Sequence, residues 1–151
     1  MPKTKRIIEI AFVAVVALLV LTQAASLYLR WREGKRIREE IWKGARVTVV
    51  KTDPQFPPGL LVEYENASRY AIAKTHFRLV FSINGLEVAR TDREYLKELK
   101  PGQKERILLK SGSTAPTGLT YGPPTKATYL LVAFPNMKKP LPELTGEIEL
   151  R

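Results

Sequence analysis

Residues 75–91 read THFRLVFSINGLEVART, and this stretch decides the fold. Phe77, Leu79, Phe81 and Ile83 alternate with His76, Arg78, Val80 and Ser82. That period of two marks a strand with one face in a core and the other towards water. Asn84-Gly85 follows, a dipeptide suited to the positive φ that a type I′ turn needs at both central residues. The chain is therefore expected to return antiparallel, with Leu86, Val88 and Tyr95 continuing the apolar face.

The same grammar extends to both sides. Upstream, residues 45–51 (ARVTVVK) place Val47 and Val49 on one face, and residues 59–66 (GLLVEYEN) turn Leu60, Val62 and Tyr64 inward. Between them, Asp53-Pro54 and Phe56-Pro57-Pro58-Gly59 form a rigid turn that no ladder can cross. Downstream, Lys100-Pro101-Gly102-Gln103 turns the chain into KERILLK (104–110), and two more strands are expected at 127–134 and 144–151. About seven short strands joined by turn signals predict a mainly β, immunoglobulin-like antiparallel sandwich over residues 45–151. Residues 111–125 (SGSTAPTGLTYGPPT) are too rich in Gly, Pro, Ser and Thr for a central strand. Leu119 and Tyr121 in that loop either cover the end of the sandwich or offer a partner a rigid apolar tip.

Residues 59–109 carry a likeness. A strand ending in Asn66, the connector Ala67-Ser68-Arg69, an alternating strand, a Gly85 hairpin and Leu99-Lys100-Pro101-Gly102 before the next strand resemble the FxLYD and late-embryogenesis-abundant type-2 β-sandwich modules. The run that names the first family stands here as Phe77-Arg78-Leu79-Val80-Phe81, without its Tyr-Asp pair. The resemblance implies a compact, non-enzymatic module tethered at a membrane, and it supplies no catalytic residue.

The N-terminus follows another rule. Residues 10–29 (IAFVAVVALLVLTQAASLYL) are twenty residues without a charge. At about 1.5 Å per residue they span roughly 30 Å, a hydrocarbon core's thickness. Residues 1–9 form a short basic tail before this transmembrane helix. Tyr28 and Trp31 stand at the far end as amphipathic interface residues, with Arg30 and Arg32 closing the span among lipid headgroups. A cleavable signal peptide is the competing reading, with Thr22-Gln23-Ala24-Ala25-Ser26 as its small-residue site. Apolar character resumes at Leu27-Tyr28-Leu29, which favours an uncleaved anchor. Residues 30–44 then read as a basic helical stalk in which Ile37 and Ile41, four apart, offer a stripe to a membrane surface or a partner. Gly34 is its weak point and Gly44 its stop.

Both flanks of the span are basic, so the positive-inside rule does not settle orientation alone. A short tail carrying Lys3, Lys5, Arg6 and the terminal amine crosses an energised membrane with difficulty, whereas long domains translocate regardless of charge. An extracytoplasmic β domain at a cell membrane is the expectation.

Composition removes several chemistries. No cysteine means no disulfide, thiolate nucleophile or Cys-ligated zinc, and a single His cannot build a multi-histidine metal site. His76 is expected to face outward on a central strand as a surface histidine. Glu63 with Glu65, and Glu147 with Glu149, read as solvated faces. Ser82, Ser111 and Ser113 lack a nucleophile elbow, and Gly112, Gly118 and Gly122 do not make a phosphate loop. Asn66-Ala67-Ser68 matches a glycosylation acceptor. The net charge of +10 divides evenly between residues 1–43 and 44–151, without a dense basic run in the second part. That distribution fits anionic lipid better than nucleic acid. The expectation is no catalytic, cofactor or metal residue, no small-molecule substrate, and partners that are membrane lipid and a membrane-protein complex. The chain then serves as a single-pass accessory or assembly subunit acting by protein contact. The alternative is an envelope ligand-binding or stress-protection module recognising lipid or polymer.

Overall fold

The computed structural model describes residues 2–54, 58–112 and 126–150. Among them are one helix, α1 (Pro2–Gly44), and seven strands: β1 (Ala45–Asp53), β2 (Gly59–Asn66), β3 (Thr75–Ile83), β4 (Leu86–Tyr95), β5 (Lys104–Lys110), β6 (Lys126–Pro135) and β7 (Leu144–Glu149). The strands form a three-stranded sheet in the order β1-β2-β5 and a four-stranded sheet in the order β4-β3-β6-β7. Every pairing is antiparallel. The chain is a mainly β sandwich preceded by a helix, as the alternation over 45–151 predicts.

Compactness divides the chain at residue 37, giving one unit of residues 1–37 and another of 38–151. The first is helix throughout. Its apolar window has a mean hydropathy of 2.4 and none of it is buried. The helix runs through Gly34 without a break, because the cost of one glycine, about 1 kcal/mol, is small against forty neighbours that favour the same ladder.

In the second unit, the inward side chains of the two sheets meet. Leu60, Val62 and Tyr64 of β2, and Phe77, Leu79 and Phe81 of β3, have no exposed surface. Ile107 and Leu109 of β5, Leu131 and Ala133 of β6 and Ile148 of β7 complete the core. Each large apolar side chain so enclosed contributes about 1.5–3 kcal/mol. The Tyr64 and Phe77 rings meet edge to face at 5.4 Å, and the Tyr64 hydroxyl pairs with Thr75 Oγ1 at 2.6 Å. Burial pushes the Tyr64 phenol up to about 12, against the Thr75 hydrogen bond, which pulls the other way.

The hairpin turn is as expected: Asn84 and Gly85 have φ of 51° and 80°. Beyond it the expectation needs correction. Leu86 is 52% exposed and Val88 half-buried, while Ala89 enters the core. A β-bulge is the cause, since Phe81 pairs with Ala89 but Ser82 pairs with Glu87, leaving Val88 unpaired. The extra residue also reconciles Tyr95 with the inner face, where its ring meets Tyr64 at 6.4 Å. Strand ends move by a residue or two: β6 begins at Lys126 and β7 stops at Glu149.

Candidate functional site

Three surfaces of the chain are candidates for function. The first is α1 itself. Along residues 7–29 the large apolar side chains are exposed, with Ile10, Leu21 and Leu27 all above 60%. A helix apolar on every side has no core-facing stripe, and by length and composition this one is a candidate membrane span. Tyr28 and Trp31 are each 59% exposed, and their rings lie 6.1 Å apart. The Lys35 ammonium lies 5.8 Å from the Trp31 ring. Arg30 and Arg32 are exposed beside them. An aromatic pair ringed by cations is what a headgroup layer accepts.

The second is the C-terminal end of α1, residues 38–44, which belongs to the compact unit of the sandwich. Ile41, expected as a partner contact, is 3% exposed and packs within the chain's own fold. Ile37 is half-buried. Trp42 Nε1 donates to the Pro140 carbonyl at 2.6 Å, and the Lys139 ammonium stands 4.0 Å above the Trp42 ring. The Arg69 guanidinium meets Glu40 at 2.8 Å. Gly44 accepts a backbone bond from Ala67 at 2.8 Å, and a Cβ on Gly44 would stand 2.5 Å from the Ser68 nitrogen. The stalk expected over 30–44 is thus helical throughout, but its last seven residues are part of the sandwich's packing.

Asn66 is the knot of that corner and is fully buried. Its Nδ2 donates to the carbonyls of Tyr70 and Leu99, both at 2.8 Å. Its Oδ1 accepts from the Ser68 amide at 3.0 Å and the Ser68 hydroxyl at 2.6 Å. Gly102 donates to the Asn66 carbonyl at 2.7 Å. The acceptor reading of Asn66-Ala67-Ser68 therefore gives way: in the fold both amide hydrogens are committed and no water reaches them. The Leu99–Gln103 turn closes against it, with Gly102 at φ 74°.

The third surface is the outer face of the four-stranded sheet. Register sets it out in rows across β4, β3 and β6: Glu94 with His76 and Phe134, Asp92 with Arg78 and Val132, then Arg90 with Val80 and Leu130. Outward sites on a sandwich are ordinarily polar, yet Leu130 and Phe134 are apolar and half-exposed, and Val132 is 8% exposed. Beside this stripe the charges close on one another. Asp92 Oδ1 lies 3.0 Å from Arg78 Nε and 3.2 Å from His76 Nε2. Lys74 meets Glu94 at 3.7 Å and Arg90 meets Glu87 at 2.8 Å. Burial raises the Asp92 pKa, but the hydrogen bonds from Arg78 and His76 outweigh it and hold the carboxyl below its usual value. The Arg78 guanidinium also lies 5.8 Å from the Phe134 ring. His76 does face outward on a central strand, though its Nδ1 is buried and has no hydrogen-bond partner among the described residues.

On the three-stranded sheet, Glu63 and Glu65 are engaged by Lys104 and Arg106 of β5 at 3.5–3.8 Å. Among the described residues, no group of three or more acidic or His side chains could hold a metal ion. Among the described residues, the sandwich carries open hollows. One of about 430 Å³ is lined by Ser82, Thr128, Leu130 and Thr145, one of about 540 Å³ by Lys51, Asp53, Leu61 and Leu108, and one of about 180 Å³ by His76, Arg78, Phe134 and Met137. Leu119 and Tyr121 lie outside the described residues.

No family model matches the chain. No curated protein matches it either. Among solved structures it is similar to the archaellum periplasmic stator protein FlaG from Sulfolobus acidocaldarius, at 10% identity and a TM-score of 0.39, over 68% of this chain and 99% of that one. At that score the likeness carries no weight for the role of this chain.

Proposed function

We propose that the chain is a single-pass membrane protein, anchored by residues 10–29, whose sandwich works by protein contact as an accessory or assembly subunit of a membrane complex. One observation carries the reading: the apolar window of α1 is wholly exposed while the sandwich closes a core of its own without it. Exposing that much apolar surface to water would cost tens of kcal/mol at about 25 cal/mol per Å², so the helix belongs in a bilayer. Tyr28, Arg30, Trp31 and Arg32 sit at the headgroups, and the sandwich lies outside the cytoplasm.

The sandwich is proposed as immunoglobulin-like, since its order β1-β2-β5 and β4-β3-β6-β7 matches an A-B-E sheet facing a C′-C-F-G sheet. The likeness to FxLYD and late-embryogenesis-abundant type-2 modules is proposed on the sequence of residues 59–109. Paired charges and open hollows favour contact over bond-making chemistry, and no enzymatic role is proposed.

Three measurements test this. Membranes bearing the full chain, washed with alkaline carbonate, are expected to retain it, and protease added outside intact cells is expected to reach the sandwich. Detergent extraction followed by affinity capture is expected to bring a stoichiometric membrane protein with it. Release by carbonate overturns the anchor; co-purifying lipid or glycan without protein favours the ligand-binding alternative.

A further inference from the structure

The segment Thr22-Gln23-Ala24-Ala25-Ser26 interrupts the apolar run of α1 with polar side chains, and anchoring alone gives them no task. Two of them are satisfied within the helix. The Thr22 hydroxyl donates to the Leu19 carbonyl at 2.9 Å, and the Ser26 hydroxyl donates to the Gln23 carbonyl at 2.8 Å. Gln23 differs, since its side-chain amide is exposed and makes no hydrogen bond among the described residues. That amide carries two N–H donors and an oxygen that accepts twice.

Depth decides what the amide meets. In a span of residues 10–29, Gln23 stands about 9 Å inside the nearer boundary and about 5 Å from the midplane. Helical side chains lean towards the helix N-terminus, which from this position is towards the middle of the bilayer, so the amide does not reach back to the headgroups. Left unpaired in hydrocarbon, such a group is costly.

Resting on the membrane-anchored reading above, we infer that Gln23 pairs two copies of the chain within the span, each amide donating to the other's side-chain oxygen. An amide is donor and acceptor at once, so a like group at the same depth is its complement. A second copy inserted in the same direction supplies that group. Two antiparallel copies would hold their amides about 10 Å apart on either side of the midplane, so the pair is parallel. Val16, Leu19, Gln23 and Ser26 recur at the three- and four-residue steps of a packing seam. Ser26 is small and its hydroxyl is turned to its own backbone, which lets the helices draw close beside the amides. Leu21 and Ala25 stand on the opposite side of the helix. The charged flanks do not choose the partner. Arg30 continues the seam into the headgroup layer, where it comes level with its counterpart and has the second copy's Glu33 and anionic lipid beside it. Glu9 continues it at the other end, outside the span and in water, where like charges are screened.

The test uses the full chain in anionic liposomes, and the absence of cysteine makes single-cysteine labelling clean. Chains labelled at the N-terminal tail with donor or acceptor dye are expected to show energy transfer that rises with the protein-to-lipid ratio. Gln23→Leu is expected to lower the association constant about tenfold. Gln23→Asn, which keeps an amide, and Thr22→Val, which removes a hydroxyl the helix already uses, should both stay within about threefold of the parent. Under oxidation, Leu19→Cys chains are expected to form disulfide dimers roughly tenfold faster than Leu21→Cys chains, because only the seam brings the two backbones within bridging distance. Circular dichroism confirms that each variant is folded. A monomeric parent, association unchanged by Gln23→Leu, or equal cross-linking from both sides of the helix overturns the inference. The first of these leaves Gln23 to a helix of another protein. Carbonate retention on the same liposomes separates this from failure of the anchor: chains that stay bound yet remain monomeric sink only the pairing.

Discussion

Asn66 makes four side-chain hydrogen bonds in a place water does not reach. Replacing it with alanine strands the Ser68 amide, at about 1–3 kcal/mol for a buried unpaired group, and takes one hydrogen bond, about 1 kcal/mol each, from the Leu99 and Tyr70 carbonyls, which keep the Ile72 amide and the Ser68 hydroxyl. Asn66→Ala is therefore expected to lower unfolding free energy by about 3 kcal/mol or more, read as a shift in urea midpoint without a change in slope. Tyr64 supplies a second test, in pH. Its phenol ionises near 10 when unfolded and at about 12 when folded, so the unfolded chain gives up its proton first. The stability that follows from keeping Tyr64 neutral is complete below pH 10 and is lost as pH rises towards 12. Tyr64→Phe, which leaves Thr75 without its partner, is expected to cost about 1–2 kcal/mol at neutral pH and to flatten the alkaline limb of the stability curve. Neither role was legible at this scale: Asn66 stood in a glycosylation pattern, and no local signal tells a committed amide from an exposed one. Its spacing from the Pro101-Gly102 turn was visible, but the hydrogen bonds between them are made only in the fold.

At the scale of elements, strands were the legible part, because alternation is written residue by residue and burial enforces it. β2 holds its inward triplet with no exposed area, and β3 does so at Phe77, Leu79 and Phe81, while Ile83 beside the turn is half-buried. The bulge at Val88 was not legible, since nothing in LEVAR distinguishes a skipped residue from a paired one. The end of α1 was misjudged for a different reason. Ile37 and Ile41 carry the helical spacing of any amphipathic stripe, and the surface that receives the end of the helix, where Glu40, Trp42 and Gly44 meet residues 67–69 and 139–140, lies nearly a hundred positions away in the second case. Packing at this joint yields a prediction. A Cβ on Gly44 meets Ser68 backbone and cannot be relieved by a rotamer, so Gly44→Ala is expected to destabilise by about 1–3 kcal/mol, although alanine is the better helix former. Ile41→Ala should cost about 2–5 kcal/mol if the site does not collapse, and both are checked by thermal melts in detergent.

Taken whole, the chain carries a candidate membrane span, residues 10–29, and a sandwich with a buried core of its own. Removal of residues 1–29 is expected to leave a protein that stays in solution without detergent and unfolds in a single cooperative step, because residues 38–151 form a compact unit with a buried core. Gel filtration and a urea titration followed by tryptophan emission check this, with Trp42 and Trp31 as the reporters. Loss of cooperativity would mean that α1 props up the sandwich. The buried corner at Asn66 also bears on how the chain can be made. An enzyme that installs sugars on Asn-x-Ser acts while the polypeptide is still open, and a carbohydrate attached there would leave the Leu99 turn no room to shut. Produced in a yeast or mammalian secretory route, the protein should divide into a sugar-free, well-behaved fraction and a decorated one retained by quality control, whereas a bacterial host should give the first kind alone.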